Sequence, residues 1–299
     1  MRLVSYRQDG AQDGSWRPGV VVGDAVIDVE AIAGSDLQAE LSQAPWSVRR
    51  LITASPGALA QLAQDAQQAV GKAVGTINDL TIGPPVPDPD KILCVGLNYL
   101  EHAVEADFEA PPAPTIFAKF RNSLIGPGAA VVIPSATKEA DYEGEIAVVI
   151  GKRCRGVGVA DAIGHVAGVM AFNDVSARDL QMQTPQWTVG KAVDTFAPCG
   201  PTLVLMDEIA DVQQLELTTR LNGEIVQHAS ATQMIHPVAE VIAFLSRSMT
   251  LEPGDIIATG TPAGVGFVRE PPLFLKDGDL IEVDIPGVGL LSNPIVAQR

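Results

Sequence analysis

The sequence predicts an α+β protein that is mainly β, with a small N-terminal α+β domain ahead of a larger β-rich domain. Short apolar runs recur through the later part of the chain, and runs of this length bounded by turn residues are typical of strands. Residues 58–74 instead carry their apolar side chains at helical spacing. Between these regions, residues 82–91 contain four prolines, which regular strand or helix pairing does not tolerate. We therefore predict domains over residues 1–85 and 86–299.

Local signals predict the individual elements. A tight turn at Gly23-Asp24 joins two N-terminal strands, and Asn222-Gly223 between alternating segments is a strong hairpin signal. Pro237 near the first turn and an apolar stripe behind it predict a helix over residues 236–249. Further strands are predicted within residues 2–7, 19–29, 91–99, 129–134, 145–152 and 165–174, a Gly-rich loop over 258–266, and a second hairpin over 277–293. The order of the strands in a sheet is not readable from these signals.

Composition excludes several classes of function. The net charge of −16 argues against nucleic acid or an anionic membrane as a partner, since both attract Lys and Arg. No apolar run reaches the length of a membrane-spanning helix, about 18 residues or more, and the N-terminal residues lack the features of a signal peptide. The three cysteines are far apart in the sequence, so no disulfide framework is expected and a cytoplasmic location is favoured.

Three carboxylates mark the ends of two predicted strands. Glu143 and Glu145 precede an apolar run and, being two residues apart, point to the same face of a strand. Asp174 ends the next long apolar run. Buried carboxylates that converge without partners repel one another, and an all-oxygen ligand set suits Mg²⁺, Mn²⁺ or Ca²⁺. The alternative, a solvated pair on an edge strand, fits the same spacing, and the residues alone leave both interpretations open.

A second candidate pair follows the sequence Gly-Leu-Asn-Tyr. If the segment LEHAVEA (100–106) is helical, His102 and Glu105 lie on one face. A carboxylate beside an imidazole fixes its tautomer and raises its basicity, which is the design of a general base. An ordinary solvated pair on a helix surface has the same spacing and is the alternative.

Cationic residues near these segments are candidates for holding an anionic substrate. Arg178 lies one helical turn after Asp174, and Lys191 and Lys119 follow apolar segments. Each could equally be a surface charge. The Gly-rich loop offers backbone N–H groups and the hydroxyl of Thr261 to a carboxylate or oxyanion, although a structural turn explains such a loop as well.

Taken together, these segments resemble the fumarylacetoacetate hydrolase family. They occur in the family's order and span roughly residues 91–295. The stretches that carry the resemblance are GLNYLEHAVE, IFAKFRNSLIGPG, DYEGEIAVVIG, FNDVSARDLQ, QWTVGKAVDTFAPCGP, LNGEIVQ and ATGTPAGVG. The resemblance implies a mixed β-roll catalytic domain, commonly dimeric, preceded in longer members by an N-terminal domain.

The resemblance implies a metal site and a general base. Glu143, Glu145 and Asp174 match the family's metal ligands, usually for Mg²⁺, Mn²⁺ or Ca²⁺. His102 and Glu105 match its catalytic dyad, carried on a short segment that orders over the substrate.

The resemblance also implies a set of substrate contacts. Lys191 matches the lysine that stabilises oxyanion or enolate charge. Arg178, Gln181 and Thr261 match positions that contact the substrate, and Lys119 is a further candidate. The full-length fumarylacetoacetate hydrolases add an aspartate ligand in the segment equivalent to GLNY, which has no counterpart here. The chain is therefore similar to the shorter bacterial-type members, and fumarylacetoacetate is not the expected substrate.

The leading hypothesis is hydrolysis of a C–C bond in a 1,3-diketo acid of the acylpyruvate type, through a metal-bound enolate, with Mg²⁺ or Mn²⁺ as cofactor and Ca²⁺ as an alternative. A homodimer acting on a small 2-oxo or diketo acid is expected. The same chemistry would serve an oxaloacetate decarboxylase or a 2-hydroxymuconate-type isomerase. An alternative of another class is a non-catalytic protein that binds a metal or a 2-oxo acid.

Overall fold

The computed structural model describes residues 1–7, 15–41, 46–105 and 112–298. The N-terminal region folds into short strands and helices. These are β1 (Arg2–Arg7), β2 (Arg17–Val22), β3 (Ala25–Asp28), β4 (Gly75–Thr76) and β5 (Thr81–Ile82), with α1 (Val29–Ile32), α2 (Ser35–Glu40), α3 (Val48–Leu51) and α4 (Pro56–Gln68).

The remainder of the chain is mainly strand. Its elements are β6 (Ile92–Gly96), α5 (Leu100–Glu105), β7 (Thr115–Lys119), β8 (Leu124–Ile125), β9 (Val131–Ile133), β10 (Ala140–Asp141), β11 (Gly144–Ile150), α6 (Val159–Ala162), β12 (Val166–Asn173), β13 (Ser176–Ala177), α7 (Arg178–Gln181), α8 (Thr188–Lys191), β14 (Ala197–Leu205), β15 (Glu216–Leu221), β16 (Glu224–Ser230), α9 (Val238–Ser248), β17 (Ile256–Ala258), β18 (Leu280–Ile285) and β19 (Gly289–Ala297). Single turns of 3-10 helix cover Val70–Lys72, Arg121–Ser123, Ile163–His165, Val212–Gln214 and Ala231–Gln233.

Within the described ranges, the largest sheet contains 12 strands and joins the two regions of the chain. Its order is β4-β3-β2-β1-β14-β12-β11-β17-β6-β7, with β5 beside β1 and β8 beside β14. A 5-stranded sheet has the order β16-β15-β18-β19-β9, and β10 pairs with β13. The predicted α+β architecture, mainly β, is confirmed. The domain boundary at residues 85 and 86 stays a prediction, and β1 pairs with β14 across it.

Strand β11 lies in the middle of the large sheet and explains its continuous apolar sequence. Ala147 and Val149 contribute to one hydrophobic core, and Ile146 and Val148 contribute to a second core on the opposite face. Because both faces are covered by apolar side chains, the strand shows no alternation of polar and apolar residues. The site described below lies at the N-terminal end of this strand.

Most predicted elements are present, with differences that have local causes. The helix predicted over residues 58–74 begins at Pro56, capped by Ser55, and ends at Gln68. Strand β14 was not predicted from sequence, because Pro198 and Pro201 break its apolar run and proline is rare inside a sheet. The hairpin at Asn222-Gly223 forms with φ of 53° and 85° at its two turn residues. No helix in the described part of the chain is long and apolar enough to cross a membrane.

Candidate active site

The three predicted carboxylates converge where β11 begins and β12 ends. The antiparallel register pairs Gly144 with Asn173, which places Glu143 and Asp174 side by side, and the Asp174 N–H donates to the Glu143 carbonyl at 2.8 Å. One carboxylate oxygen from each of Glu143, Glu145 and Asp174 lies within 4.8 Å of the others. All three side chains are buried. Three buried oxygen donors this close together could hold a metal ion.

Two buried lysines neutralise part of this negative charge. The Lys191 Nζ lies 2.6 Å from Glu143 Oε2 and 2.8 Å from Asp174 Oδ2. The Lys119 Nζ lies 2.5 Å from Asp174 Oδ1 and donates to the Val175 carbonyl at 3.0 Å. Burial alone would raise the pKa of Glu143, but the positive charges of Lys191 and Arg178 outweigh it and lower that pKa to about 2.

Glu145 lacks such a partner. Its carboxylate is 1% exposed and accepts one hydrogen bond, from the Gly260 N–H at 2.8 Å. No Lys or Arg of the described residues forms an ion pair with it. Burial, followed by the charges of Asp174 and Glu143, raises the pKa of Glu145 well above its ordinary value. This unpaired buried carboxylate, beside two other carboxylates, fits a divalent cation, which would remove the electrostatic penalty.

Arg178 links the carboxylate cluster to a fourth acid, Asp141. Its Nη1 lies 2.6 Å from Glu143 Oε1 and donates to Gln181 Oε1 at 3.1 Å. Its Nε donates to Asp141 Oδ2 at 2.9 Å. Burial would lower the pKa of Arg178, but the Glu143 and Asp141 charges raise it above its ordinary value. Asp141 was not predicted as a site residue, although it precedes Glu143 by the same two-residue step that separates Glu143 from Glu145.

Helix α5 brings the predicted dyad to the site. The His102 Nδ1 lies 2.8 Å from Glu105 Oε1, which favours the tautomer with the proton on Nδ1 and leaves Nε2 as the basic atom. His102 is buried. Both Glu105 oxygens also accept from the Gly264 N–H, at 2.9 and 3.1 Å. Ala106, the last residue of the predicted helical turn, lies outside the described residues.

The Gly-rich loop, predicted to bind a carboxylate or oxyanion, directs its N–H groups at the protein's own carboxylates. Gly260 donates to Glu145, and Gly264 donates to Glu105. The Thr261 hydroxyl donates to the Gly144 carbonyl at 2.9 Å, at the start of β11. The loop therefore fixes acidic groups from β11 and α5 relative to one another.

These side chains surround a small cavity of about 30 Å³. Its polar lining residues are His102, Glu143, Arg178, Gln181, Lys191 and Thr261, and its apolar lining residues include Leu97, Phe117, Met182 and Trp187. Lys119 is paired with Asp174 and is not among the lining residues. A cavity of this size holds about two water molecules, so a bound 2-oxo acid requires its wall to move outward.

Comparison with known proteins supports the family resemblance of the region after residue 90. The family model described as "Fumarylacetoacetate (FAA) hydrolase C-terminal" matches residues 91–296. An oxaloacetate tautomerase of rat mitochondria, Fahd2a, is 46% identical over 220 residues, which cover 73% of this chain and 70% of the relative. The corresponding protein of Xenopus laevis is 40% identical over 302 residues, with 99% and 90% covered.

Solved structures share the fold over the whole chain. Fumarylacetoacetate hydrolase from Exiguobacterium antarcticum is 34% identical with a TM-score of 0.80, and both chains are covered completely. Maleylpyruvate hydrolase from Sphingobium sp. SYK-6, solved with manganese(II) and pyruvate, is 31% identical with a TM-score of 0.78 and the same full coverage. The predicted fumarylacetoacetate hydrolase type of fold is thereby confirmed.

Proposed function

The chain belongs to the fumarylacetoacetate hydrolase family, and from this premise we propose that it interconverts the keto and enol forms of a small 2-oxo acid, with oxaloacetate as the foremost substrate. The observation that carries the proposal is the meeting of His102, Arg178 and Lys191 in one small cavity beside the acidic triad. The relatives named oxaloacetate tautomerase support oxaloacetate as the substrate.

A divalent cation is part of this proposal. Glu143, Glu145 and Asp174 would hold Mg²⁺ or Mn²⁺, with Ca²⁺ as an alternative, and the bound ion would supply a Lewis acid for the 2-oxo carbonyl. The unpaired carboxylate of Glu145 supports this assignment, as does the manganese in the related maleylpyruvate hydrolase structure.

Each of the cavity side chains has a separate role in the reaction. Arg178, with Gln181 beside it, binds a substrate carboxylate through its guanidinium N–H groups. His102 Nε2 removes a proton from the carbon next to the 2-oxo group, and Glu105 stabilises the resulting imidazolium. The Lys191 ammonium stabilises the enolate oxygen. His102 then returns the proton to that oxygen to give the enol, or to carbon in the reverse direction.

Hydrolysis of an acylpyruvate is the second candidate. The His102–Glu105 pair, 2.8 Å apart, has the geometry of a base that deprotonates water as readily as it would a carbon acid. Water would then attack the distal carbonyl, and cleavage of the adjacent C–C bond would leave a carboxylic acid and the enolate of pyruvate. The similarity to maleylpyruvate hydrolase supports this candidate.

The test is a substrate panel assayed with EDTA-treated protein reloaded with Mg²⁺ or Mn²⁺. Ketonisation of enol-oxaloacetate is followed by ultraviolet absorbance, and pyruvate released from acylpyruvates or by decarboxylation of oxaloacetate is followed by a coupled dehydrogenase. Rates are compared with those of the metal alone. Faster ketonisation without pyruvate release supports the first candidate, and pyruvate from acylpyruvates supports the second. A protein that binds the metal but turns over neither class would contradict both and favour a non-catalytic binding role.

Two further expectations belong to the same proposal. We propose that the protein is a homodimer, as the family resemblance implies, and light scattering will measure its mass. The cytoplasmic location favoured by the cysteines stays a prediction, since the rat and Xenopus relatives are named mitochondrial.

A further inference from the structure

Asp141 is a buried carboxylate to which neither the proposed mechanism nor the predicted metal site gives a role. It ends β10 and is 0% exposed. Its Oδ1 accepts from the N–H groups of Gly266 and Tyr142 at 2.7 and 2.9 Å, and its Oδ2 accepts from the Phe267 N–H at 3.1 Å. Oδ2 also accepts from Arg178 Nε at 2.9 Å. With two hydrogen bonds on each oxygen, Asp141 has little capacity left to serve as a metal ligand.

The contacts of Asp141 fix the direction of the Arg178 guanidinium. Arg178 Nε donates to Oδ2, and Nη2 lies 2.8 Å from the same oxygen in an ion-pair contact whose angle is poor for a hydrogen bond. The opposite side of the guanidinium, Nη1, is thereby directed toward Glu143 and Gln181, both of which line the cavity. The Phe267 ring lies against the guanidinium, with its centroid 4.4 Å from Cζ.

The segment from Gly264 to Phe267 connects this arrangement to the general base. Its Gly266 and Phe267 N–H groups hold Asp141, and its Gly264 N–H holds Glu105 of the dyad. The close approach depends on glycine at position 266, where an added Cβ would lie 2.5 Å from Asp141 Oδ1 and 2.0 Å from the Leu273 carbonyl. The backbone of this segment thus fixes the position of Arg178 through Asp141, and the position of the base His102 through Glu105.

We propose that Asp141 is a positioning residue that orients Arg178 for the substrate carboxylate. This inference rests on the proposed function, in which Arg178 binds that carboxylate. Without the Asp141 charge, the guanidinium has Glu143 as its remaining ion-pair partner among the described residues. The Nε–Nη2 edge would then be held less firmly, and Nη1 would lose its fixed position at the cavity wall.

The test is the substitution Asp141→Asn, which keeps the size of the side chain and removes its charge. Because charge-assisted hydrogen bonds are about twice as strong as neutral ones, we expect KM for the substrate and the Kd of oxalate, a mimic of the pyruvate enolate, to rise about tenfold or more. We expect kcat to change less than about threefold, since Arg178 holds substrate and transition state alike. Oxalate binding is compared at saturating Mn²⁺ for each variant, because Arg178 also contacts the proposed metal ligand Glu143 and its displacement would alter metal affinity.

Asp255→Asn is the matched control. Asp255 is likewise 0% exposed, accepts from the N–H groups of Lys91 and Glu252 at 3.0 and 2.7 Å, and pairs with Lys91 Nζ at 2.7 Å. It precedes β17, at the opposite end of that strand from Gly260 and the site. The control is expected to lose stability while its KM and its oxalate affinity stay at wild-type values.

A double-mutant cycle separates positioning from general support of the fold. If Asp141 acts through Arg178, the Asp141→Asn change should alter oxalate binding less than about twofold in an Arg178→Met background. Additive effects would overturn the proposal, as would wild-type oxalate affinity in Asp141→Asn. If Asp141→Asn does not fold, Asp141→Ser, with space for a bridging water, replaces it.

Turnover tests the proposed function, whereas oxalate binding tests the positioning role of Asp141. Wild-type protein that binds oxalate but turns over no substrate refutes the proposed function, and the cycle in oxalate binding still decides the role of Asp141. Wild-type protein that does not bind oxalate overturns the positioning proposal, because Arg178 would then have no carboxylate to hold.

Discussion

Replacement of Glu145 by Gln should separate metal binding from the stability of the metal-free protein. Among the described residues, the site places four buried carboxylates, Asp141, Glu143, Glu145 and Asp174, against three buried cations, Lys119, Arg178 and Lys191. Glu145 is the carboxylate without an ion-pair partner, and its one hydrogen bond comes from the Gly260 N–H. A Gln oxygen can accept that same hydrogen bond, so the substitution removes the charge and little else.

The expected effect of Glu145→Gln on the free energy of unfolding has opposite signs in the metal-free and the Mn²⁺-bound protein. At the 4.8 Å limit between the triad oxygens, each like-charge pair costs about 3 kcal/mol at an effective dielectric constant of 20. Lys191 offsets part of this repulsion, so without metal Glu145→Gln should raise the free energy of unfolding by about 1–3 kcal/mol. With Mn²⁺ at about 100 times its Kd, wild type gains about 2.7 kcal/mol. For a chain of 299 residues, that gain is worth about 4 °C in Tm.

Thermal unfolding in EDTA and in Mn²⁺ measures both effects. We expect Glu145→Gln to have a Tm in EDTA at or above that of wild type, and to lose most of the increase that Mn²⁺ gives wild type. Asp255→Asn, at a buried carboxylate paired with Lys91, should instead lower the Tm in EDTA and keep the full Mn²⁺ increase. A Glu145→Gln protein that is destabilised in EDTA and still responds fully to Mn²⁺ would refute the metal site.

Three other predictions follow from the described contacts. His102→Ala should lower kcat at least about 100-fold through loss of the general base while Mn²⁺ still raises its Tm, and a kcat within tenfold of wild type would contradict the assignment. Trp187→Ala should enlarge the cavity beside Gly96 and raise kcat/KM for longer acylpyruvates relative to oxaloacetate about tenfold. An unchanged ratio, equal to that of Val189→Ala in the adjoining helix α8, would exclude Trp187 from specificity. Burial raises the pKa of Asp28, but hydrogen bonds from Arg17 and the Tyr6 hydroxyl outweigh burial and lower that pKa below the ordinary 3.8. The ionised Asp28 therefore stabilises the fold above pH 3.8, and this contribution is lost as the pH falls further. Asp28→Asn should therefore cost about 1–2 kcal/mol at pH 7 and progressively less in urea titrations below pH 4, and a difference independent of pH would contradict this account.

The sequence was most informative where local pattern and chemistry coincide. The two-residue spacing of Glu143 and Glu145, and the apolar runs behind them, predicted a strand with acidic residues at its start, as observed. The three-residue spacing of His102 and Glu105 predicted their contact, because a helical turn brings such residues together. Family resemblance was needed to choose between a shared site and solvated surface pairs.

Long-range pairing was not readable, since it depends on which strands become neighbours. Nothing in the sequence around Lys119 indicates that β7 carries its ammonium to Asp174, 55 positions away. Strand β14 was missed because Pro198 and Pro201 lie within a central strand. Asp141 was overlooked for a different reason, since its partners come from the Gly266–Phe267 segment at the far end of the chain.

The pairing of β1 with β14 has a consequence for any attempt to trim this protein. Leu3 lies opposite Leu203 in that pairing, so a fragment beginning near residue 86 would leave the backbone of β14 without its β1 partner around Leu203–Leu205. Unpaired strand edges recruit other chains, and such a fragment is therefore expected to self-associate or precipitate. The amino-terminal strands thus complete the sheet that carries the carboxylates by pairing with β14, and shortened versions of the enzyme should keep them.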